Sequence, residues 1–203
     1  MQCLKSDIRK GILTEAEKLF LNKGFQGTSM REIAQKSNVG LSNIYNYFHS
    51  KDDIYQEILM PVIRDLYHLF YTHHSGEQVT MDVFTSVEYR KRDVEDYMKL
   101  VEQHRVGLKL LLFYSQGSSL DSFREQLTDK MTVIINNYFR AMKHKYPHLN
   151  VDISPFFLHL QISWTFTMLG ELVTHRIEKE DLKRFITEYV SFGTAGWKEL
   201  MDA

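Results

Sequence analysis

The scarcity of helix-breaking residues is the feature that most constrains the fold of this chain. Only 3 prolines and 10 glycines occur in 203 residues. Between them, apolar residues recur every three or four positions, which is the spacing of an amphipathic helix. No stretch of the sequence shows the sustained alternation of polar and apolar residues that a half-buried strand requires. The sequence therefore predicts an all-α protein.

The cysteine content and the N-terminal charges predict a cytoplasmic protein that does not associate with membranes. Cys3 is the single cysteine, so neither an internal disulfide nor a cysteine-based metal site is expected. The first twenty residues mix acidic and basic side chains in a helical pattern, unlike the apolar core of an export signal. The most apolar segment, residues 156–173, contains His159, Gln161 and Glu171. These polar residues favour a buried helix over a membrane span.

Charge is divided unevenly along the chain. Residues 1–51 hold eight Lys or Arg and four acidic residues, a net charge of +4, whereas the rest of the chain holds 17 and 22, a net charge of −5. A basic head on an acidic body is typical of a head that meets phosphate groups. We therefore predict two domains, a basic head at residues 1–51 and a helical body at residues 52–203.

Local signals mark the helices of the head. Gly24 provides a glycine stop for the first helix, Ser29 and Glu32 have capping-box spacing at the start of the second, and Ser50 can cap the fourth. Pro61 lies inside the fourth helix and is expected to kink or interrupt it. The predicted helices cover about residues 7–23, 29–37 and 41–47, with the fourth opening at residue 50.

The body is predicted to continue as helices with strong apolar faces. The last two are long, and residues 154–177 are apolar almost all round, as expected of a helix packed against both its own body and a partner. The predicted spans are 81–115 with a break near Arg92 or Gln103, 119–145, 154–177 and 181–201.

Residues 28–51 read as helix, tight turn, helix and the start of another helix, which is the order of a helix-turn-helix. Asn43 and Asn46 are the leading specificity candidates because an asparagine amide can make paired contacts with adenine. Tyrosine hydroxyls and basic side chains nearby suit phosphate groups. The predicted DNA contacts are Ser29, Arg31, Gly40, Leu41, Ser42, Asn43, Tyr45, Asn46, Tyr47 and Lys51.

Residues 8–55 resemble the DNA-binding head of the tetracycline-repressor (TetR) family. The recognition helix of this family, which is the third helix here, usually opens with Ser, Lys, Gly and Thr, where this chain has Gly40, Leu41, Ser42 and Asn43; Leu41 can contact a thymine methyl instead. The residues that carry the resemblance are Ile12, Ala16, Leu19, Phe20, Gly24, Phe25, Thr28, Ser29, Arg31, Glu32, Ile33, Ala34, Val39, Ile44, Tyr45, Tyr47, Phe48 and Lys51.

The resemblance implies a homodimer formed through the last two long helices, residues 154–177 and 181–201. It also implies a small-molecule effector bound among the middle helices, and a fourth helix that transmits its binding to the head. Residues 1–51 are thus expected to be a helix-turn-helix DNA-binding domain, and residues 52–203 a helical ligand-binding and dimerisation domain. A dimer would place two recognition helices about one DNA turn apart, roughly 34–36 Å, on a palindromic operator. The expected function is a repressor that a ligand releases from this double-stranded DNA.

Ten residues of the body are candidates to line the effector cavity, although aromatic residues at helical spacing are also typical of an ordinary core. They are Tyr67, Phe70, Tyr71, Phe84, His104, Leu108, Leu112, Phe113, Tyr138 and Trp164. His68, His73 and His74 raise the alternative of a metal or pH sensor. His68 and His73 are five positions apart, which is a poor spacing for one helical face, so neither a metal nor another cofactor is predicted.

The sequence does not favour an enzyme. It contains no nucleophile elbow, zinc helix motif or dinucleotide fingerprint. The alternative to a DNA-binding regulator is a helical ligand-binding or protein-interaction module without sequence-specific DNA binding. Salt-dependent binding to duplex DNA distinguishes the two.

Overall fold

A computed structural model describes residues 2–72 and 79–203 of the chain. Over these ranges it forms helices and no strand, which confirms the prediction of an all-α protein. The helices are α1 (Gln2–Lys23), α2 (Met30–Lys36), α3 (Leu41–Ile44), α4 (Lys51–Thr72), α5 (Asp82–Thr85), α6 (Val87–Phe113), α7 (Phe123–Lys145), α8 (Pro155–Thr174) and α9 (Lys179–Leu200).

The first two helices end and begin where their local signals predict. Gly24 adopts a φ of 71°, and its N–H donates to the Phe20 carbonyl at 2.8 Å, which closes α1. Ser29 caps α2, and both hydrogen bonds of the capping box with Glu32 are formed. The α1 helix begins at Gln2, earlier than the predicted residue 7.

The third and fourth helices differ from prediction in two details. The α3 helix ends at Ile44 instead of residue 47, because the chain tightens there: the Tyr47 N–H donates to the Ile44 carbonyl three residues back. Of the two effects expected at Pro61, a kink or an interruption, the interruption does not occur, since α4 runs from Lys51 to Thr72. The predicted cap of α4 is present, with the Asp53 N–H donating to the Ser50 hydroxyl at 3.0 Å.

The helices of the body are close to their predicted spans. Ser86 has an extended ψ of 132°, which separates α5 from α6. Within α6, His104 leaves helical geometry with a φ of −120° and a ψ of 21°, one residue from the break predicted near Gln103. The α7 helix begins at Phe123 rather than residue 119 because turns occupy the preceding residues, including Gly117 at a φ of 79°.

The first of two compact units contains the residues up to Ile63 together with Val106–Phe123. The ring of Tyr55, which is fully buried, packs edge-on against Phe20 with centroids 4.9 Å apart. Its hydroxyl donates to the Leu110 carbonyl at 2.9 Å, and burial raises the pKa of Tyr55 to about 12. The end of α6 is thus part of the core of this unit.

Hydrogen bonds also tie the start of α4 to the turn before α7 within the first unit. The Ser119 N–H donates to one oxygen of the Asp52 carboxylate at 2.9 Å, and the Gln56 amide donates to the other at 2.7 Å. Burial alone would raise the pKa of Asp52, but these hydrogen bonds outweigh it and lower the pKa below its ordinary value. Asp52 is therefore held as a carboxylate.

The second unit contains Arg64–Arg105 and Arg124–Ala203. Its core is built from apolar residues of α4, α6, α7, α8 and α9, among them Leu66, Met142, Phe166 and Ile186, which are at most 1% exposed. None of the helices that the structure describes is long and apolar enough to cross a membrane.

Candidate nucleic-acid interface and effector cavity

The turn between α2 and α3 is fixed by backbone hydrogen bonds. Asn38 adopts a φ of 54°, its N–H donates to the Gln35 carbonyl at 3.2 Å, and the Val39 N–H donates to the Ala34 carbonyl at 2.9 Å. This pair of bonds is a Schellman motif, in which asparagine is the best substitute for glycine. The motif ends α2 and sets the direction of α3.

The α3 helix presents one face to the core of the first unit and the other to solvent. Ile44 is fully buried, whereas Leu41 is 44% exposed and Tyr45 is 46% exposed. Gly40 is the N-cap of α3. Four other predicted DNA contacts in this segment are also exposed to solvent: Gly40, Ser42, Asn43 and Asn46.

The two asparagines on this exposed face form a pair. The Asn46 amide donates to the Asn43 side-chain carbonyl at 2.9 Å. Asn43 retains its amide donors and Asn46 retains its carbonyl acceptor, which are the groups that read base edges in a major groove. The structure thus brings together the residues on which sequence analysis placed specificity.

Lys51 has a structural role in the head. Its ammonium donates to the carbonyls of Phe25 at 2.6 Å and Thr28 at 2.8 Å, and it lies 4.1 Å from the centroid of the Phe25 ring. Burial lowers the pKa of Lys51, and the neighbouring Asp52 carboxylate opposes this shift. An ammonium has three N–H donors, and these two hydrogen bonds use two of them.

The other predicted phosphate contacts lie on α2 and after α3. Arg31 is exposed in the first turn of α2. The Ser29 hydroxyl is engaged in the capping box with Glu32 at 3.0 Å. Tyr47 is half-buried, and its backbone carbonyl accepts a hydrogen bond from the Arg9 guanidinium at 2.7 Å. Arg9, which sequence analysis did not single out, also pairs with Glu57 on α4.

The second unit contains a cavity of about 230 Å³ lined by residues of α4 through α9. Four of the predicted ligand contacts line it: Phe70, Phe84, Tyr138 and Trp164. Sequence analysis missed Tyr89, Asp93 and Tyr97, which also line it. These three residues are four positions apart in the sequence, which puts them on one face of α6. This spacing is the sequence pattern that could have grouped them.

The remaining predicted ligand contacts do not line this cavity. Tyr67 and Tyr71 pack against each other beneath the Lys130 ammonium, which is 5.0 Å from the Tyr67 ring. The His104 Nε2 is 2.8 Å from the Asp65 carboxylate. Burial alone would raise the pKa of Asp65, but hydrogen bonds from His104 and Arg64 outweigh it and lower the pKa. Leu108, Leu112 and Phe113 belong to the first unit.

Of the three histidines considered as a metal or pH sensor, His68 lies among the described residues. His68 is exposed on α4, and His73 and His74 lie outside the described residues. Within residues 2–72 and 79–203, His, Cys, Asp and Glu side chains form no group of three or more that could hold a metal ion.

The head of the chain matches a known family. Residues 12–58 match the family described as "Bacterial regulatory proteins, tetR family". The chain is also 33% identical over 60 residues to the uncharacterized HTH-type transcriptional regulator YhgD of Bacillus subtilis (strain 168), an alignment that covers 30% of this chain and 31% of that protein. The match thus spans less than a third of the relative's length.

Solved structures are similar over nearly the whole chain. A TetR-like transcriptional regulator from Rhodococcus sp. RHA1 superimposes with a TM-score of 0.61 at 16% identity, covering 93% of this chain and 96% of that one. NalD, the secondary repressor of the MexAB-OprM multidrug efflux pump in Pseudomonas aeruginosa, gives a TM-score of 0.60 at 17% identity, with coverages of 93% and 97%. At these identities the likeness concerns the fold.

The fold and the exposed face of α3 define the class of helix-turn-helix proteins with a helical body. The family match then identifies the head, residues 12–58, as that of a TetR-type transcriptional regulator. The predicted family resemblance is confirmed. The prediction of a regulator rather than an enzyme agrees with the matches to the head, because the family and the matched relative are described as regulators.

Proposed function

We propose that this protein is a homodimeric repressor that acts in the cytoplasm, binds a palindromic operator through α3, and leaves it when a small molecule occupies the cavity of the second unit. The observation that carries the DNA-binding part is the exposed face of α3, where Asn43 and Asn46 are hydrogen-bonded to each other. Leu41 and Tyr45 extend this face with apolar surface for thymine methyl groups and sugar.

The DNA contacts divide into two groups by position. Asn43 and Asn46 would read base edges, Leu41 would contact a thymine methyl, and the small Ser42 and Gly40 would allow close approach of α3. Arg31 and the third donor of Lys51 would contact phosphates and position the head. The residues that complete the proposed phosphate-contacting set are Ser29, Tyr45 and Tyr47.

The surface of α8 and α9 supports the proposed dimer. Phe156, Leu160 and Trp164 recur every four residues on α8, so they share one face, and they are 74%, 51% and 42% exposed in the single chain. Phe192 on α9 is 67% exposed, and its ring meets the Trp164 ring at a centroid distance of 6.0 Å. Contiguous apolar surface of this kind marks an interaction site.

The cavity supports the proposed effector site. It is enclosed mainly by apolar and aromatic side chains with a few polar groups, which is the usual composition of a small-molecule site. A ligand that binds the DNA-free protein more tightly than the DNA-bound protein lowers the affinity for DNA by the ratio of those two affinities. A coupling free energy of about 1–3 kcal/mol corresponds to a change in DNA affinity of roughly 5-fold to 150-fold. NalD is described as a repressor, which is consistent with this direction of control.

The proposal is tested by selecting binding sites from a randomised duplex-DNA pool with the purified protein at physiological salt. We expect the bound fraction to converge on a palindrome whose half-sites are about one helical turn apart. Asn43→Ala should relax the preference at a base position, whereas Lys18→Ala, on the exposed side of α1, should recover the wild-type site. Failure to enrich any sequence would favour a helical ligand-binding or protein-interaction module instead.

A further inference from the structure

Arg9 on α1 contacts both the residues that follow α3 and the helix that comes next in the chain. Its Nη1 donates to the Tyr47 carbonyl at 2.7 Å. Its Nε donates to one oxygen of the Glu57 carboxylate on α4 at 3.0 Å, and its Nη2 donates to the other oxygen. The guanidinium also lies 4.1 Å from the centroid of the Phe48 ring, and Phe48 is only 2% exposed. One side chain thus joins three segments of the first unit.

This set of contacts requires an arginine. A guanidinium is planar and carries its N–H donors in a fixed fork, so it can hold a carboxylate with two parallel hydrogen bonds and still donate to a carbonyl. A lysine ammonium has a single nitrogen and lacks this fork. The side chains of Arg9 and Glu57 are 40% and 38% exposed, so their charges add little to the stability of the protein. The main effect of the pair is therefore on geometry.

The carbonyl that Arg9 holds lies next to the residues proposed to read bases. Tyr47 directly follows Asn46, and the Tyr47 N–H donates to the Ile44 carbonyl at 3.0 Å, so its backbone continues from the last turn of α3. The Asn46 amide donates to the Asn43 side chain at 2.9 Å. Carbonyls at the end of a helix have no partners within that helix. Arg9 provides such a partner from a different helix.

We propose that Arg9 is a positioning residue for DNA recognition. It holds the end of α3 against α4, so that Asn43 and Asn46 meet base edges in one fixed orientation. This inference rests on the proposed function, because it takes α3 to be the helix that enters the major groove. Base contacts depend on hydrogen-bond geometry, whereas phosphate attraction depends on charge and tolerates inexact placement. Loss of the Arg9 contacts should therefore reduce sequence specificity more than general affinity for DNA.

The specificity ratio measures this role directly. We define it as the affinity of the protein for its selected palindrome divided by its affinity for a scrambled duplex of equal length. A charge change that acts through phosphate attraction alters both affinities and leaves the ratio nearly constant. A displaced α3 loses base contacts that only the palindrome offers, so the ratio falls. Fluorescence anisotropy with the full-length protein at physiological salt gives both affinities.

Two substitutions separate geometry from charge. Arg9→Lys keeps the net charge, whereas Glu57→Gln removes a negative charge and so favours phosphate attraction. Both disrupt the paired hydrogen bonds. We expect each to lower the specificity ratio about fivefold or more, the effect of one lost base contact. Affinity for the scrambled duplex should stay within about twofold of wild type in Arg9→Lys, and should be equal or tighter in Glu57→Gln.

The matched controls are Lys18→Arg and Glu15→Gln. They make the same kinds of chemical change in an ion pair that lies within α1, where the Lys18 ammonium is 2.6 Å from the Glu15 carboxylate. Both controls should keep the specificity ratio within about twofold of wild type. A fall in the controls equal to that in Arg9→Lys and Glu57→Gln would show a general effect of charge or side-chain size and would overturn a specific role for Arg9.

The result also distinguishes this proposal from the proposed function. A wild-type specificity ratio near one would overturn the proposed function, and the positioning role with it. A large wild-type ratio that stays within about twofold in either Arg9→Lys or Glu57→Gln would overturn the role of Arg9 and leave the regulator intact. Equal weakening of both duplexes in Arg9→Lys would identify a phosphate contact instead. Thermal melts establish that each variant is folded, and if Arg9→Lys does not fold, Glu57→Gln alone decides.

Discussion

Replacing Lys51 by methionine should destabilise the head while keeping the apolar stem of the side chain. The Lys51 ammonium donates to the carbonyls of Phe25 and Thr28 and lies over the Phe25 ring. Thr28 is only 2% exposed. Methionine removes the charge and both donors, so the Thr28 carbonyl would be left in a buried position without its ammonium partner.

The size of the loss in stability depends on which hydrogen bonds the two carbonyls keep after the substitution. A hydrogen bond from a charged donor contributes a net ~1.5–3 kcal/mol. The Phe25 carbonyl also accepts the Thr28 N–H at 3.2 Å, so it keeps a partner, and water can reach the half-buried Lys51 position. We therefore expect the free energy of unfolding to fall by about 2 kcal/mol, which for a protein of this size lowers the Tm by roughly 4–8 °C.

Urea unfolding followed by circular dichroism, at one fixed protein concentration, measures this loss. The control is Lys18→Met, because Lys18 makes an exposed pair with Glu15 and its loss should cost less than about 0.5 kcal/mol. If Lys51→Met were as stable as Lys18→Met, the hydrogen bonds to the two carbonyls would contribute nothing in solution and the structural role of Lys51 would be refuted.

Substitutions at three further positions test the first unit. Asn38→Ala should lower the free energy of unfolding by about 1 kcal/mol because alanine tolerates the positive φ poorly, whereas Asn38→Gly should stay within about 0.5 kcal/mol of wild type; equal losses in urea titrations would contradict this. Tyr55→Phe should cost about 1 kcal/mol, because the Leu110 carbonyl loses one donor but keeps others; an unchanged thermal melt would count against that bond. Asp52 has a lowered pKa, so its stabilising contribution is present above its unfolded pKa of about 3.8 and is lost as pH falls through the folded pKa. Stability should therefore decline less in Asp52→Asn than in wild type as pH is lowered below about 5, and parallel declines would exclude Asp52 as a cause.

The helices of the head could be predicted from the sequence because their end signals are local. Gly24 at the end of α1 and the capping box of Ser29 and Glu32 depend on residues at most three or four positions apart. The sequence left open whether Pro61 kinks or interrupts α4, because tertiary packing of the surrounding apolar residues can stabilise a helix beyond its propensity. Pro61 itself is exposed.

The contacts made over longer distances were not accessible from the sequence. Lys51 looked like a free cation, and its bonds to Phe25 and Thr28 depend on how distant segments pack. Asp93 lies in a charged stretch of α6 that resembles a solvated helix face, and only the fold shows that it lines a cavity. The spacing of Tyr89, Asp93 and Tyr97 was the available signal, and it does not by itself distinguish a cavity wall from a core.

The most direct test of the regulator function compares the affinity of the purified protein for its selected palindrome with that for a scrambled duplex of equal length, at several salt concentrations. The account predicts that the palindrome binds about 10³-fold or more tightly at physiological salt, and that log K falls linearly with log salt for both duplexes. Affinities for the two duplexes within about tenfold of each other, at every salt concentration, would contradict sequence-specific DNA binding by this chain.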